Sequence, residues 1–531
     1  MQIHLFDTTL RDGTQSEGLS LSVEDKLRIA RVLDGFGIHY IEGGYPGSNP
    51  KDIEFFRRAR GELKLRHARL TAFGSTRKAG VAAADDPNLR ALVEAATPTV
   101  CIYGKSWPLH VTHVLQTTLE ENLAMIRDSV GFLKQEGKEV VYDGEHFFDG
   151  FRADPEYALA CARAAAEAGA DWIVLCDTNG GSLPSYITTV VNAVRAAVPT
   201  RIGIHSHNDS DMAVANALAA VEAGATQVQG TMNGWGERCG NANLISIIPA
   251  LQLKMDRRCV PDENLARLTD LSRTVSEIAN IRPRAHAPYV GSSAFAHKGG
   301  AHVAAVEKLT STYEHIAPEK VGNQRKVVVS ELSGRGNVRM RAIELGADVR
   351  GMEKDILARV KELENDGYQF EAAEGSFELL ARKTRADYQA PFEVLDVVVI
   401  SERRRGSEMF VEATLKLKLQ RETVHVVAEG SGPVHALDGA FHKALDAHYP
   451  LLREVHLSDY KVRILDPEAA TGAKTRVLIE SERAGERWST IGVSPNIIEA
   501  SARALADALE LPLVRAQVAA NAASRQASSG G

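Results

Sequence analysis

The chain has 531 residues, of which 44% are hydrophobic and 25% charged, and it carries a formal net charge of -7. That is ordinary globular composition. Its length calls for two or three domains rather than one core, and a pI of about 6.2 argues against nucleic acid or an anionic membrane as the main partner. The five cysteines (Cys101, Cys161, Cys176, Cys239, Cys259) are scattered and form no Cys-x-x-Cys. This argues against a disulfide framework or a thiolate zinc site and fits a reducing, cytoplasmic setting. No uncharged apolar run approaches the roughly 18 residues of a membrane span. The opening "IHLF" reads as a strand, not as a signal peptide.

Short β-branched, apolar runs recur in chain order at 3–7, 39–44, 69–74, 99–104, 139–145, 172–178, 201–207 and 227–233. Helical patterns separate them, such as 23–37 and 154–170. In the second, Asp154 is an expected N-cap, Pro155 fills the first turn and Gly169 closes the end. Strands alternating with helices at intervals of about 25–40 residues predict a (β/α)8 TIM barrel over residues 1–260. A doubly wound open sheet is the alternative, but the count of eight and the polar residues clustered after so many strands favour the barrel.

Residues 261–388 read as a mostly helical accessory region, interrupted by the Gly-rich "SSAFAHKGGAH" (292–302). From 389 to 515 the pattern is strand, strand, strand, helix, given twice. This predicts a compact α+β domain of two βββα halves. The small, polar end, 516–531, is expected to be disordered.

The chemistry-bearing residues fall after strands. In "GIHSHND", His205 and His207 are two apart and share one strand face, near the strand end where barrel enzymes place their chemistry. Two imidazoles there make half of a divalent-metal site, although an ordinary polar strand end would look the same. Asp12 follows the first strand, which closes the barrel beside the seventh and eighth. Asn241, in "GERCGN" after the eighth, can add a fourth donor. A carboxylate, imidazole and amide set without thiolate suits a catalytic Mg²⁺, Mn²⁺ or Zn²⁺ with open positions. Arg11 beside Asp12 could stabilise an alkoxide formed at a ketone; a surface ion pair is the bland reading. Glu145 after strand five and Asp177 and Thr178 after strand six are candidates for proton transfer and carboxylate binding, or for loop capping. Tyr45 and Pro46, in "EGGYPGSNP" (42–50), would wall a pocket. Lys105 after strand four reads as charge or packing.

Together, "DTTLRDGTQ" (7–15), "HSHND" (205–209), "GWGERCGN" (234–241), "FAHKGGAH" (295–302), "TYEHIAPEKVGN" (312–323), "SELSGRGNV" (330–338) and "GSGPVHALDGAF" (430–441) resemble the metal-dependent acyl-CoA condensing family of 2-isopropylmalate, homocitrate and citramalate synthases. The match covers nearly the whole chain. "IEGGYPGSNPKD" and "VVYDGEHFFDG" look most like the citramalate-forming branch. His146 stands where the isopropylmalate branch commonly has Asp, which weakens transfer of that branch's substrate.

The resemblance implies a Claisen-type condensation of acetyl-CoA with pyruvate, followed by thioester hydrolysis to citramalate and CoA, on the way to isoleucine. Asp12, His205 and His207 would hold the metal, with Asn241 bound or close. Arg11 would face the ketone oxygen, Glu145 would be catalytic, and Thr178 would contact the 2-oxo acid's carboxylate. His302 and Tyr313 would complete the site and assist proton transfer, reaching the barrel of the other subunit in a homodimer. The C-terminal domain would bind a branched-chain amino acid, isoleucine being the logical effector. The CoA-binding residues are unassigned; Lys298, Arg325 and Lys326 are basic candidates that could equally be solvated surface. Three other readings stand beside this one. They are an isopropylmalate synthase using 2-oxoisovalerate, a retro-aldol lyase or carboxyltransferase sharing "LRDG" and "HSHND", and a non-catalytic amino-acid sensor.

Overall fold

The computed structural model describes residues 2–403, 408–419 and 422–529. Eight parallel strands, β1 (His4–Asp7), β2 (Tyr40–Gly44), β3 (Arg69–Ser75), β4 (Thr99–Lys105), β5 (Glu139–Glu145), β6 (Trp172–Asp177), β7 (Arg201–Ser206) and β8 (Gln227–Gly230), close into a barrel. The closure pairs β1 with β8, Leu5 lying opposite Val228 and Asp7 opposite Gly230. The expected eight-stranded barrel is therefore present, not an open sheet.

The connecting helices begin where the sequence signals them. Helix Val23–Phe36 starts at a Ser22/Asp25 capping box and ends at Gly37, whose φ of 96° suits glycine. Helix Pro155–Glu167 starts at Asp154, whose carboxylate accepts from the Tyr157 N–H. The barrel interior is filled by Phe6, Tyr40, Phe73, Cys101, Val141, Trp172, Val174 and Cys176. Cys101 and Cys176 are thus core residues, and all five cysteines are free.

The chain forms two compact units, Met1–Phe295 with Ile316–Gln324, and Ala296–His315 with Arg325–Gly531. The first runs past the expected boundary at 260, because Leu265, Leu268, Leu271 and Val275 bury in the same core as the barrel helices. Asn323 fastens the returning segment, donating to the Tyr289 and Gly291 carbonyls.

In the second unit, β9 (Ala296–His297) pairs in parallel with β10 (Lys326–Val327). Two of the quoted motifs meet here. A Cβ on Gly300 would lie 2.7 Å from the Gly334 nitrogen, so "HKGGAH" and "SGRGN" pack backbone on backbone. Helices follow at Arg335–Glu344, Glu353–Asn365 and Glu374–Lys383.

Then come two antiparallel three-stranded sheets, each followed by a helix. The first is β11 (Glu393–Arg403), β12 (Met409–Leu419) and β13 (Glu422–Glu429) with helix Pro433–Leu445. The second is β14 (His456–Ile464), β15 (Thr475–Arg483) and β16 (Glu486–Ser494) with helix Ile497–Ser529. On β12 the buried residues are Val411, Ala413, Leu415, Leu417 and Leu419, a period of two that turns one face to a core shared with Leu437, Phe441, Val477 and Leu505.

The expected disordered tail is corrected. The last helix continues through Ser529, because "VRAQVAANAASRQA" is rich in Ala, Gln and Arg and has no Gly or Pro. Arg515, midway along this helix, pairs with the buried Glu378. Residues 530 and 531 lie outside the described residues. Among the described residues no helix is long and apolar enough to cross a membrane.

Candidate active site

The segment after β1 is shaped by its own side chains. Asp7 accepts from the Thr9 hydroxyl at 2.7 Å and the Thr9 N–H at 3.0 Å, and Thr9 Oγ1 accepts from the Met232 N–H after β8. This turn delivers Arg11 and Asp12 to the strand-end mouth of the barrel. Asp12 stands at the start of the short turn Gly13–Gln15 but makes no cap bond with its side chain. Its carboxylate instead meets His205, Asp12 Oδ2 lying 3.2 Å from His205 Nε2.

Asp12, His205 and His207 are all buried and can bring one donor atom each within 4.8 Å of one another. After β8, Asn241 pairs with His207 through a backbone bridge. Its amide donates to the Trp235 carbonyl at 3.2 Å, which leaves Oδ1 without a partner. Asp12 Oδ1, His207 Nδ1 and Asn241 Oδ1 are three buried polar atoms with no hydrogen bond. Buried groups are rarely left unpaired, and a carboxylate, imidazole and amide oxygen are the donors a hard or borderline divalent cation takes. The residues therefore fit a metal.

A chain of contacts sets the histidines. His205 Nδ1 meets Gln229 Oε1 at 2.9 Å, and the Gln229 amide donates to Asp143 at 3.0 Å. That contact favours a proton on Nδ1 and would turn Nε2 to a cation as the ligand atom; without one, burial is outweighed by the Asp12 carboxylate, which raises His205 above its ordinary value. Burial and the neighbouring His205 hold His207 down to about 4, neutral and ready to ligate. Burial would raise Asp12, but the Arg11 charge and the His205 contact outweigh it and hold the carboxyl well below its usual range.

Arg11 is fixed on two sides. Its Nε donates to Glu42 Oε2 at 2.6 Å, and its guanidinium carbon lies 3.6 Å from the Phe73 ring centroid. Burial pushes Glu42 up to about 7 in spite of Arg11. Phe73 stacks on Tyr103 at 5.5 Å and meets Tyr45 edge-on at 5.7 Å, giving one wall of aromatic rings.

Arg11, Asp12, Tyr45, Glu145, Thr178, His205 and His207 all border a single cavity of about 410 Å³. Thr178 Oγ1 accepts from the His146 N–H at 2.9 Å, so its own proton is free to donate into the cavity. His146 makes that contact from a left-handed conformation, φ 53°. Glu145 is in contact with Lys105, its direct partner in the β4–β5 register, so Lys105 serves as a charge partner. Asp177 turns away and caps its own loop through Ser182.

His302 and Tyr313 belong to the other compact unit, where their rings stack at 4.2 Å. Lys298 there is paired with Glu371, and Arg325 with Glu314.

Comparisons with known proteins agree with this geometry. The HMGL-like family model matches residues 2–275, the homocitrate synthase post-HMGL domain-like model 289–367, and the LeuA allosteric (dimerisation) domain model 371–513. The chain is 51% identical to the (R)-citramalate synthase of Geobacter sulfurreducens, over 97% of this chain and 98% of that protein. It is 52% identical to the (R)-citramalate synthase of a Synechocystis species, over 96% of each. The chain belongs to the (R)-citramalate synthase family. Identity to a probable 2-isopropylmalate synthase of Methanopyrus kandleri is lower, 33% over 95% of this chain and 97% of that one.

Within this family site, Glu42, Asp143 and Gln229 are the residues sequence reasoning missed. Each is a buried polar side chain on a barrel strand.

Proposed function

We propose that the cavity at the barrel mouth condenses acetyl-CoA with pyruvate and releases citramalate and CoA. The observation that carries this reading is the buried set Asp12, His205, His207 and Asn241, with three atoms lacking any partner, beside a guanidinium fixed by Glu42 and Phe73. A divalent cation held by those four residues would supply Lewis-acid polarisation of the 2-oxo acid's ketone; Mg²⁺, Mn²⁺ and Zn²⁺ all suit the donors.

The chain's own residues do the rest. Thr178 donates its hydroxyl proton to the pyruvate carboxylate. Arg11, unable to rotate away from Glu42 and Phe73, directs N–H groups at the ketone oxygen and stabilises the charge that grows there. A base takes a proton from the acetyl methyl group, and that carbon bonds to the pyruvate C2. Water then cleaves the thioester, leaving a carboxylic acid and the CoA thiol. Glu145 holds that water or relays its proton, and the pair His302 and Tyr313 is assigned to the methyl proton transfer at the barrel of a second subunit. Tyr45, Phe73 and Tyr103 leave room for the methyl of pyruvate and oppose a branched side chain.

The C-terminal domain is assigned to dimer formation and to feedback by isoleucine, and the reaction to the cytoplasm. The test is acetyl-CoA-dependent release of CoA with pyruvate, 2-oxobutyrate, 2-oxoisovalerate and 2-oxoglutarate in turn, with and without a chelator. Release with pyruvate that a chelator abolishes is expected. A preference for 2-oxoisovalerate would replace citramalate by isopropylmalate as the product. No release from metal-replete protein would reject the condensation.

A further inference from the structure

Beside the catalytic cavity lies a larger one, about 770 Å³, also within the barrel unit. Arg238 borders both. Its walls are the loop after β8 and the segment 281–292, "IRPRAHAPYVGS". That segment is a formed structure. The Ser293 N–H donates to the Ala285 carbonyl at 2.8 Å and the Gly291 N–H to Ala287 at 2.9 Å. Asn323 donates to the carbonyls of both Tyr289 and Gly291. A Cβ on Gly291 would lie 2.3 Å from the Ala285 oxygen. Four non-glycine residues of the lining, Asp211, Asn233, Arg238 and Tyr289, have φ between 55° and 66°. Backbone held in this region is costly and collects at ligand sites.

The charge is one-sided. In a chain of net charge -7, this cavity is lined by Arg238, Arg273, Arg282 and Arg284 against one carboxylate, Asp211. Arg238 is committed to Asp209 by two hydrogen bonds. Arg273, Arg282 and Arg284 are exposed and make no ion pair among the described residues. Guanidinium groups without carboxylate partners are suited to phosphate, and Trp235 and Tyr289 stand in the same walls as aromatic surface for a flat base.

We infer that this cavity binds the phosphorylated nucleotide end of the acyl carrier, with Arg282 and Arg284 on its phosphates and the thioester arm passing Arg238 into the catalytic cavity. The inference rests on the acetyl-CoA reading above and adds the residues that hold the carrier.

The test is CoA binding by the full-length protein, measured by calorimetry against dephospho-CoA. The wild type is expected to prefer CoA. Arg282→Ala/Arg284→Ala is expected to lose about tenfold or more in CoA affinity, to lose the preference over dephospho-CoA, and to raise the KM for acetyl-CoA but not for pyruvate. Arg28→Ala/Arg31→Ala, on the exposed face of the first barrel helix, controls for lost positive charge. Unchanged CoA affinity, an equal loss in that control, or a changed native mass at constant CoA affinity would each overturn the assignment; the last would make the cavity a subunit contact. A wild type that binds CoA through these arginines but condenses no 2-oxo acid would support the site and reject the proposed reaction.

Discussion

The two ends of the barrel each carry a polar cavity, and they differ in what their charges do. The bottom cavity, bordered by His4, His39, Arg69, Lys134, Glu139 and Asp171, is the larger, about 520 Å³ against 410 Å³ at the mouth. Its acids are matched. Glu139 accepts from Tyr40, Arg69 and Thr99, and Asp171 from Lys134 and the Val140 N–H. At the mouth, Asp12, His207 and Asn241 each keep a buried atom with no partner. Between these two cavities, size does not mark the catalytic one. What marks the mouth is that its unmatched carboxylate, imidazole and amide atoms belong to one group of metal-ligand type, which a cation would satisfy. The contrast agrees with the general division of such barrels into a stabilising bottom and a reactive top.

The strongest way to break this comparison is to remove ligands. His205→Ala/His207→Ala is expected to lower kcat/KM by about 1,000-fold or more, the several kcal/mol a metal contributes. Glu139→Gln at the other end is expected to leave turnover intact and to lower stability by about 1–2 kcal/mol. Equal losses of activity in both would end the distinction. Arg11→Lys is expected to cost about 10²–10³ in kcat in a folded protein, since an ammonium cannot reproduce a guanidinium braced by Glu42 and Phe73; full turnover would remove Arg11 from the chemistry.

A milder change sharpens the account of the mouth. Tyr103→Ala, which opens the aromatic wall, is expected to shift the kcat/KM ratio toward 2-oxoisovalerate by about 10–200-fold, the range that small differences in apolar fit supply. An unchanged ratio would place acceptor selection elsewhere. The smallest effect belongs to the bottom. Burial and the neighbouring His4 lower His39 to about 4, below its ordinary value near 6.5. A neutral buried imidazole contributes stability above that value and loses it as pH falls toward about 4. The melting temperature should therefore drop across this window, and His39→Asn should flatten the slope without touching activity.

Much of this was legible in the sequence, for identifiable reasons. Strand periodicity placed His205 and His207 on one face, and strand order brought Asp12 to them. Glu42 and Asp143 were not legible, because their partners lie 31 and 86 residues away and only barrel closure unites them. The cap residue Asp154 was a local signal. The boundary near 260 was misplaced because helix Leu268–Ile278 belongs to the barrel core through its apolar face, which composition does not show. The last helix was expected, but its continuation past 515 was not, because small, polar residues suggest disorder, whereas a run without Gly or Pro permits a helix to continue.

The most direct measurement is the metal content of the purified full-length protein by mass spectrometry, for the wild type, His207→Ala, Asn241→Ala and Glu139→Gln. About one divalent ion per chain is expected in the wild type and in Glu139→Gln, with loss in His207→Ala and weakened retention in Asn241→Ala. The same metal content in all four proteins would contradict the claim that the unmatched atoms at the mouth are ligands.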